Sequence, residues 1–176
     1  MITRWAAALS AAIVLSAPGA SAVQRVRVSP HETHAFTVDG TQLTFNYGRP
    51  SKRGRTIWGS LVPWGRWWMP GADEATILTT ANALAIGSLT VPAGDHTLYM
   101  WPDEKTSRFI ISNEVGQFHT QYHPDRDLGR VDYEMRKISE PVEQLTYTAE
   151  ARDGGGGLIK LAWDDREYSV AFTVKK

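Results

Sequence analysis

Apolar side chains alternate with polar ones along much of the chain, and this period of two constrains the fold more than any other feature of the sequence. Leu43, Phe45 and Tyr47 alternate with polar neighbours, and the same pattern recurs over residues 131–135. Successive side chains of an extended strand point to opposite faces, so each set places its apolar residues on one side. The alternation therefore predicts strands with one buried face.

The C-terminal third repeats this alternation three times, with turn residues between the sets. The sets are Leu145, Tyr147 and Ala149, then Ile159, Leu161 and Trp163, then Tyr168, Val170, Phe172 and Val174. Asp39 and Gly40 predict a tight hairpin turn between residues 35–38 and 43–47, and residues 92–95 predict another turn. Many short antiparallel strands at this spacing predict an all-β, single-domain sandwich of jelly-roll type.

One window of the chain fits both a helix and strands. The helical stripe consists of Ile77, Leu78, Ala81, Leu84 and Ala85. The threonines at positions 76, 79 and 80 favour strand instead, because β-branched side chains fit a pleated surface better than a helix. We interpret the window as two strands separated near Asn82.

Residues 1–22 match a cleavable export signal. Arg4 supplies the positive charge, residues 5–17 form a mostly apolar run, and Ala20, Ser21 and Ala22 fit the small-residue cleavage rule. A helix of the length of that run spans only about 20 Å, less than the hydrocarbon core of roughly 30 Å. We therefore expect a mature chain that starts at Val23, no membrane insertion after cleavage, and a periplasmic or secreted product.

The mature chain, residues 23–176, is long enough for one domain with a buried core. Its charges nearly balance, because the whole chain holds 19 basic and 19 acidic residues and the signal removes only Arg4. No global field would attract nucleic acid to such a chain. The sequence has no cysteine, which excludes disulfides, thiolate catalysis and lipid attachment at a lipobox.

Residues 47–76, which we name the Trp/Arg loop, break the strand pattern. This segment holds four of the seven tryptophans, together with a basic cluster and many glycines and prolines. Glycine and proline disfavour a long ladder or helix, so irregular backbone must position the tryptophans. Irregular segments of this kind are where proteins often build binding sites.

The aromatic and basic side chains of the Trp/Arg loop suit two uses. The indole rings can stack on sugar rings or on guanidinium planes, or they can pin the loop onto the sheet. Arg49 and Arg55 can pair with carboxylates such as Asp73 or Glu74 and so fix the loop, or they can donate to an anionic ligand. The candidate ligand-binding residues are Tyr47, Arg49, Arg55, Trp58, Trp68, Asp73 and Glu74.

The sequence contains no recognisable catalytic set. No Gly-x-Ser-x-Gly elbow occurs, and the four glycines at 154–157 are flanked by predicted strands, which favours a hairpin loop over a phosphate cradle. Asp73 and Glu74 are adjacent, so on an extended backbone they would point to opposite faces. A hydrolase or lyase that uses one of them with Arg49 or His31 is the first alternative.

Metal handling is the second alternative. His31, His34 and Met69 are of types that suit copper or zinc, although no metal-binding spacing accompanies them. His119 and His123 have the spacing of a helical zinc site, but the glycine and proline around them disfavour a helix. We therefore predict no resident metal or cofactor.

The favoured interpretation is a non-catalytic binding or structural module that engages a cell-envelope glycan, a peptide or a small anion.

Four stretches of the chain resemble a known family. They read SPHET at 29–33, YGRPSKRGRTIWGSLVPWGRWWMPGADEAT at 47–76, LTVPAGDHTLYMWP at 89–102 and LAWDDREYSVAFTV at 161–174. In these stretches the chain resembles the bacterial domain of unknown function 2911 family over essentially the whole mature chain. The resemblance implies an exported all-β protein with strands after Ala75, and it implies no established activity. Where many members are similar to WRTGANEAT, this chain has Met69 and Asp73 in place of arginine and asparagine.

Overall fold

The computed structural model of the protein describes residues 27–175, so the predicted signal segment at 1–22 lies outside the described residues. The described part consists of strands and one short 3-10 helix, which confirms the all-β prediction. The elements are β1 (His31–Val38), β2 (Thr41–Gly48), β3 (Ile77–Thr80), β4 (Leu84–Ile86), β5 (Leu89–Val91), β6 (Gly94–Trp101), β7 (Arg108–Ser112), the 3-10 helix (Pro124–Arg126), β8 (Asp127–Asp132), β9 (Glu134–Ala151) and β10 (Gly157–Val174). Within residues 27–175, no helix has the length and apolar character needed to cross a membrane.

The strands form two antiparallel sheets. One sheet has the order β1-β2-β3-β6-β7-β8, and the other has the order β5-β4-β10-β9. Their facing sides bury the main core, which includes Phe45 of β2, Leu98 of β6 and Phe172 of β10. This arrangement confirms the predicted β-sandwich, and the more specific jelly-roll topology stays a prediction.

The predicted hairpin turn at residues 39–40 is confirmed, whereas the one predicted at 92–95 is only a short link at 92–93, since β6 already begins at Gly94. Asp39 and Gly40 both have positive φ angles, 50° and 76°, and they close the hairpin in which Val38 pairs with Thr41. The ambiguous window is indeed two strands, with bends at residues 81–82. Its two halves belong to different sheets, since β3 pairs with β2 and β6 whereas β4 pairs with β5 and β10.

The turn predicted between Trp163 and Tyr168 is wrong. β10 runs through it as one 18-residue strand whose register against β9 shifts on both sides of Asp164. Trp163 and Tyr168 are five positions apart and would face opposite sides of a regular strand. Asp164 has a φ of 53°, which interrupts the regular alternation of β10, and both rings are buried in the same core.

The Trp/Arg loop takes the place of a strand beside β6. Trp68 pairs with Met100 through two backbone hydrogen bonds of 2.8 Å, in the region of β6 that β3 does not reach. Side chains alternate across this pairing as they do in a strand. Trp68 therefore joins the main core, whereas Trp67 and Met69 join Tyr99 on the outer face of the six-stranded sheet.

Residues 113–123, which we name the covering segment, lie over this outer face. The backbone of the covering segment bonds to the end of the Trp/Arg loop, with Ala75 N–H donating to Gln117 O and His119 N–H donating to Asp73 O. The Tyr99 hydroxyl donates to Gln121 O at 2.8 Å, which ties the segment to β6. The loop and the covering segment thus meet at residues 73–75, and both cavities described below are lined by residues of these two segments.

Candidate functional site

Two tryptophans of the Trp/Arg loop attach it to the four-stranded sheet. Trp58 is only 9% exposed, its ring contacts Tyr168 edge-on at 5.0 Å, and its Nε1–H donates to Trp163 O at 3.2 Å. Trp68 stacks on the ring of Trp163 with centroids 6.0 Å apart. Both rings therefore pin the loop onto the sheet, the second of the two uses expected from the sequence.

The Arg166 guanidinium of β10 stacks on these loop tryptophans. It lies 4.8 Å from the ring centroid of Trp64 and 5.9 Å from that of Trp58. Its Nε and Nη1 have no hydrogen-bond partner among residues 27–175, and the nearest carboxylate oxygen, of Asp165, is 3.9 Å from Nε. Sequence reasoning expected indole–guanidinium stacking but did not identify Arg166, because the two partners lie about one hundred positions apart.

Tyr47 and Arg49 hold the start of the loop against β9. Tyr47 is fully buried, its hydroxyl accepts a bond from Tyr147 N–H at 2.9 Å, and burial raises its pKa. Arg49 donates to the Thr146 hydroxyl at 2.9 Å and to Glu32 at 2.7 Å. Hydrogen bonds from Arg49 and then His34 lower the pKa of Glu32. The carboxylate that pairs with Arg49 is thus Glu32, whereas the sequence suggested Asp73 or Glu74.

Arg55 and Asp73 shape the backbone of the loop. The Arg55 guanidinium donates to two carbonyl oxygens of its own turn, Lys52 O at 2.9 Å and Ser51 O at 2.6 Å. Asp73 has a φ of 65°, and its carbonyl oxygen accepts from both the backbone N–H and the ring Nδ1 of His119, the latter at 2.8 Å. Neither residue lines the two cavities described next.

The first of these cavities, which we name the aromatic cavity, has a volume of about 390 Å³. It is lined by Arg66, Trp67, Trp68, Met69, His119 and Thr120. Trp67 rests on Tyr122, with ring centroids 5.1 Å apart, and both Trp67 and Trp68 are partly exposed. Trp68 is the predicted site residue that lines this cavity.

The second, which we name the polar cavity, has a volume of about 210 Å³. Its polar lining consists of Arg27, His31, Asn46, Glu74 and Gln117, and Ala75, Ile77 and Gly116 complete it. Glu74 Oε1 pairs with the Arg27 guanidinium, and its Oε2 lies 3.3 Å from His31 Nδ1. Loss of some hydration acts to raise the pKa of the exposed Glu74 carboxyl, but a hydrogen bond from its own backbone N–H and the Arg27 guanidinium hold that pKa below its usual value.

The structure brings one of the other predicted combinations together and separates the rest. Arg49 bonds to Glu32 and β9, whereas Glu74 lies with His31 at the polar cavity, so the hydrolase pairing of Glu74 with His31 is brought together and that with Arg49 is not. Met69 sulfur accepts from Thr76 N–H at 3.4 Å, and His34 bonds to Glu32 instead of His31 or Met69. In the described part of the chain, no three residues of the types His, Asp and Glu are grouped as metal ligands.

Comparison with known proteins identifies a family for the chain. A family model described as "Protein of unknown function (DUF2911)" matches residues 29–172. No curated protein and no solved structure matches the chain.

Proposed function

The chain belongs to the DUF2911 family, and we propose that it is a non-catalytic binding module whose aromatic cavity takes a sugar ring of a cell-envelope glycan. The observation that supports this proposal is the partly exposed indole of Trp67, on the outer face of the six-stranded sheet, at a cavity of about 390 Å³ that Trp68 also lines. Ligand cavities generally lie between about 300 and 1,000 Å³. An indole offers a flat apolar face, and a sugar ring offers a matching face of C–H groups.

The polar groups around the indoles suit hydroxyl groups, which both donate and accept. His119 Nδ1 lies 2.8 Å from the carbonyl oxygen of Asp73, so this nitrogen carries the proton and donates. In the neutral ring Nε2 is then an acceptor. Arg66 and Thr120 supply donors on the same lining. A sugar can therefore stack on an indole while its hydroxyls bond to this rim.

Binding without hydrolysis is supported by the composition of the cavity lining. Glycoside cleavage generally uses two carboxyl groups that flank the scissile bond. Among the described residues, no Asp or Glu lines the aromatic cavity, since Glu74 belongs to the polar cavity and Asp73 contributes its carbonyl to His119. The aromatic cavity thus provides stacking and hydrogen bonds without the carboxyl groups that glycoside cleavage generally uses.

Replacing Trp67 with alanine is expected to weaken glycan binding by about tenfold or more, because the stacking surface is lost. Binding can be measured by a glycan array followed by calorimetry with soluble cell-wall fragments. Trp101→Ala is the matched control, since Trp101 packs on the same outer cluster as Trp67 but does not line the cavity. Equal losses in the two variants, or binding of a peptide or an inorganic anion in place of every glycan tested, would contradict the proposal.

Export to the envelope is part of the proposal, and it rests on the pattern of residues 1–22. We expect the protein isolated from its own cells to begin at Val23. Determining its N-terminal sequence by Edman degradation or mass spectrometry checks this directly. An intact N-terminus at Met1 on the cytoplasmic protein would overturn the export proposal and leave sugar binding to be judged on its own.

A further inference from the structure

We propose that the polar cavity binds the ammonium group of a small primary amine. This site is distinct from the aromatic cavity, with which it shares no lining residue. The inference rests on three hydrogen-bond acceptors in its lining residues that the described protein leaves unmatched. It does not depend on the glycan proposal.

Gln117 supplies the first acceptor. Its side-chain nitrogen donates to the hydroxyls of Tyr99 and Thr97 at 2.7 and 3.2 Å. Each hydroxyl has already given its single proton to a backbone carbonyl, Gln121 O and Glu114 O respectively, so the amide cannot be flipped without losing both bonds. Gln117 is only 9% exposed, and its Oε1 has no partner among residues 27–175.

His31 supplies the second acceptor. Its Nε2 lies 2.6 Å from Asn46 Oδ1, and Asn46 uses its amide nitrogen to donate to Thr33 Oγ1 at 2.8 Å. Asn46 Oδ1 must therefore accept, which places the proton of the neutral imidazole on Nε2. The lone pair of Nδ1 is then left, and in the described part of the chain no hydrogen bond reaches it.

Glu74 supplies the third acceptor and the negative charge. Its Oε1 is bound by Arg27, but its Oε2 takes part in no hydrogen bond with the described residues. The 3.3 Å between Oε2 and His31 Nδ1 brings two acceptors together without a proton between them when the imidazole is neutral. An outside donor that reaches both atoms removes this mismatch. His31 Nδ1 is buried, and an unmatched buried polar group costs about 1–3 kcal/mol, whereas the Glu74 side chain is 48% exposed and contributes mainly its charge.

An ammonium group meets these requirements because it carries three N–H donors, a positive charge and no acceptor. Arg27 already pairs with Glu74 Oε1, so the ammonium group has to reach the remaining oxygen, Oε2. Ala75 and Ile77 provide an apolar wall for the carbon chain of the amine, and a cavity of about 210 Å³ admits only a small molecule. The polar cavity would therefore recognise the ammonium group through charge-assisted hydrogen bonds.

The test uses three probes of similar size in NMR titrations of the isotope-labelled protein. Propylamine carries an ammonium group, propanol has the same chain without the charge, and tetramethylammonium has the charge without N–H donors. We expect propylamine alone to saturate, with shifts at the backbone amides of Ala75 and Gln117. Glu74→Gln should weaken propylamine binding by tenfold or more, while Glu104→Gln, which removes an exposed carboxylate outside the cavity, should leave it unchanged.

Each alternative outcome overturns the proposal in a recognisable way. Equal binding of tetramethylammonium would show charge attraction without a donor-specific site, and equal binding of propanol would show an apolar site. Zinc chloride added afterwards should leave the propylamine shifts in place, and tight zinc binding that abolishes them would make the cavity a metal site instead. No saturation by propylamine up to roughly 100 mM, well above a Kd of 1 mM that corresponds to only about 4 kcal/mol, would remove the site. Circular dichroism of Glu74→Gln separates lost binding from lost folding.

Discussion

Replacing Trp58 with alanine is expected to lower the free energy of unfolding by about 3–5 kcal/mol, the usual loss for a large aromatic side chain removed from a core. Trp58 contacts Trp64, Trp68 and Tyr168 and lies under the Arg166 guanidinium. The substitution removes a ring that joins the Trp/Arg loop to β10, and it leaves a cavity or a water-filled gap between them. Urea unfolding followed by circular dichroism measures the change.

Leu61→Ala is the control for Trp58→Ala within the same loop. Leu61 is 43% exposed, so its truncation should change the free energy of unfolding by less than about 0.5 kcal/mol. A loss below about 1 kcal/mol for Trp58→Ala would show that the remaining rings hold the loop without it. In that case Trp58 would return to the set of residues available for binding a ligand.

The fold follows from local sequence rules where the strands are regular. The alternation at Leu43, Phe45 and Tyr47 and the turn at Asp39 and Gly40 each depend on neighbouring residues only, and both are confirmed. The rules fail between Trp163 and Tyr168 because a short polar stretch between two apolar sets is typical both of a turn and of an irregularity within one strand. Only the pairing of β10 with β9 decides between them, and that pairing depends on distant parts of the chain.

The site was less predictable than the fold, for the same physical reason. Aromatic and basic density identified the Trp/Arg loop, and Trp68 and Glu74 do line cavities. The loop residues that looked most available for a ligand, such as Arg49, are instead satisfied by partners on β1 and β9. Gln117 carries no local sequence signal, because its unmatched oxygen results from the hydroxyls of Tyr99 and Thr97, which β6 places beside it.

Gly48→Ala is expected to destabilise the protein by about 3 kcal/mol or more, because no space exists for a methyl group at this position. A Cβ on residue 48 would lie 2.2 Å from the carbonyl oxygen of Ala72, which is far inside van der Waals contact. Backbone on both sides forms the contact, so a side-chain rotation cannot relieve it. The end of the Trp/Arg loop would have to move away from β2, and with it Asp73 and Glu74, which pair with the covering segment.

Gly54→Ala separates this lack of space from the ordinary effect of replacing glycine in the same loop. Gly54 has a φ of +69°, and a Cβ added there would meet no other atom within 4 Å, so alanine should cost only about 1–2 kcal/mol of backbone strain. Gly48 does not lie in the left-handed region, so its larger loss would come from the Ala72 contact alone. Chemical denaturation of both variants gives the comparison. Equal losses would mean that the loop end shifts freely, and the polar cavity would then lack the fixed position of Glu74 on which amine binding depends.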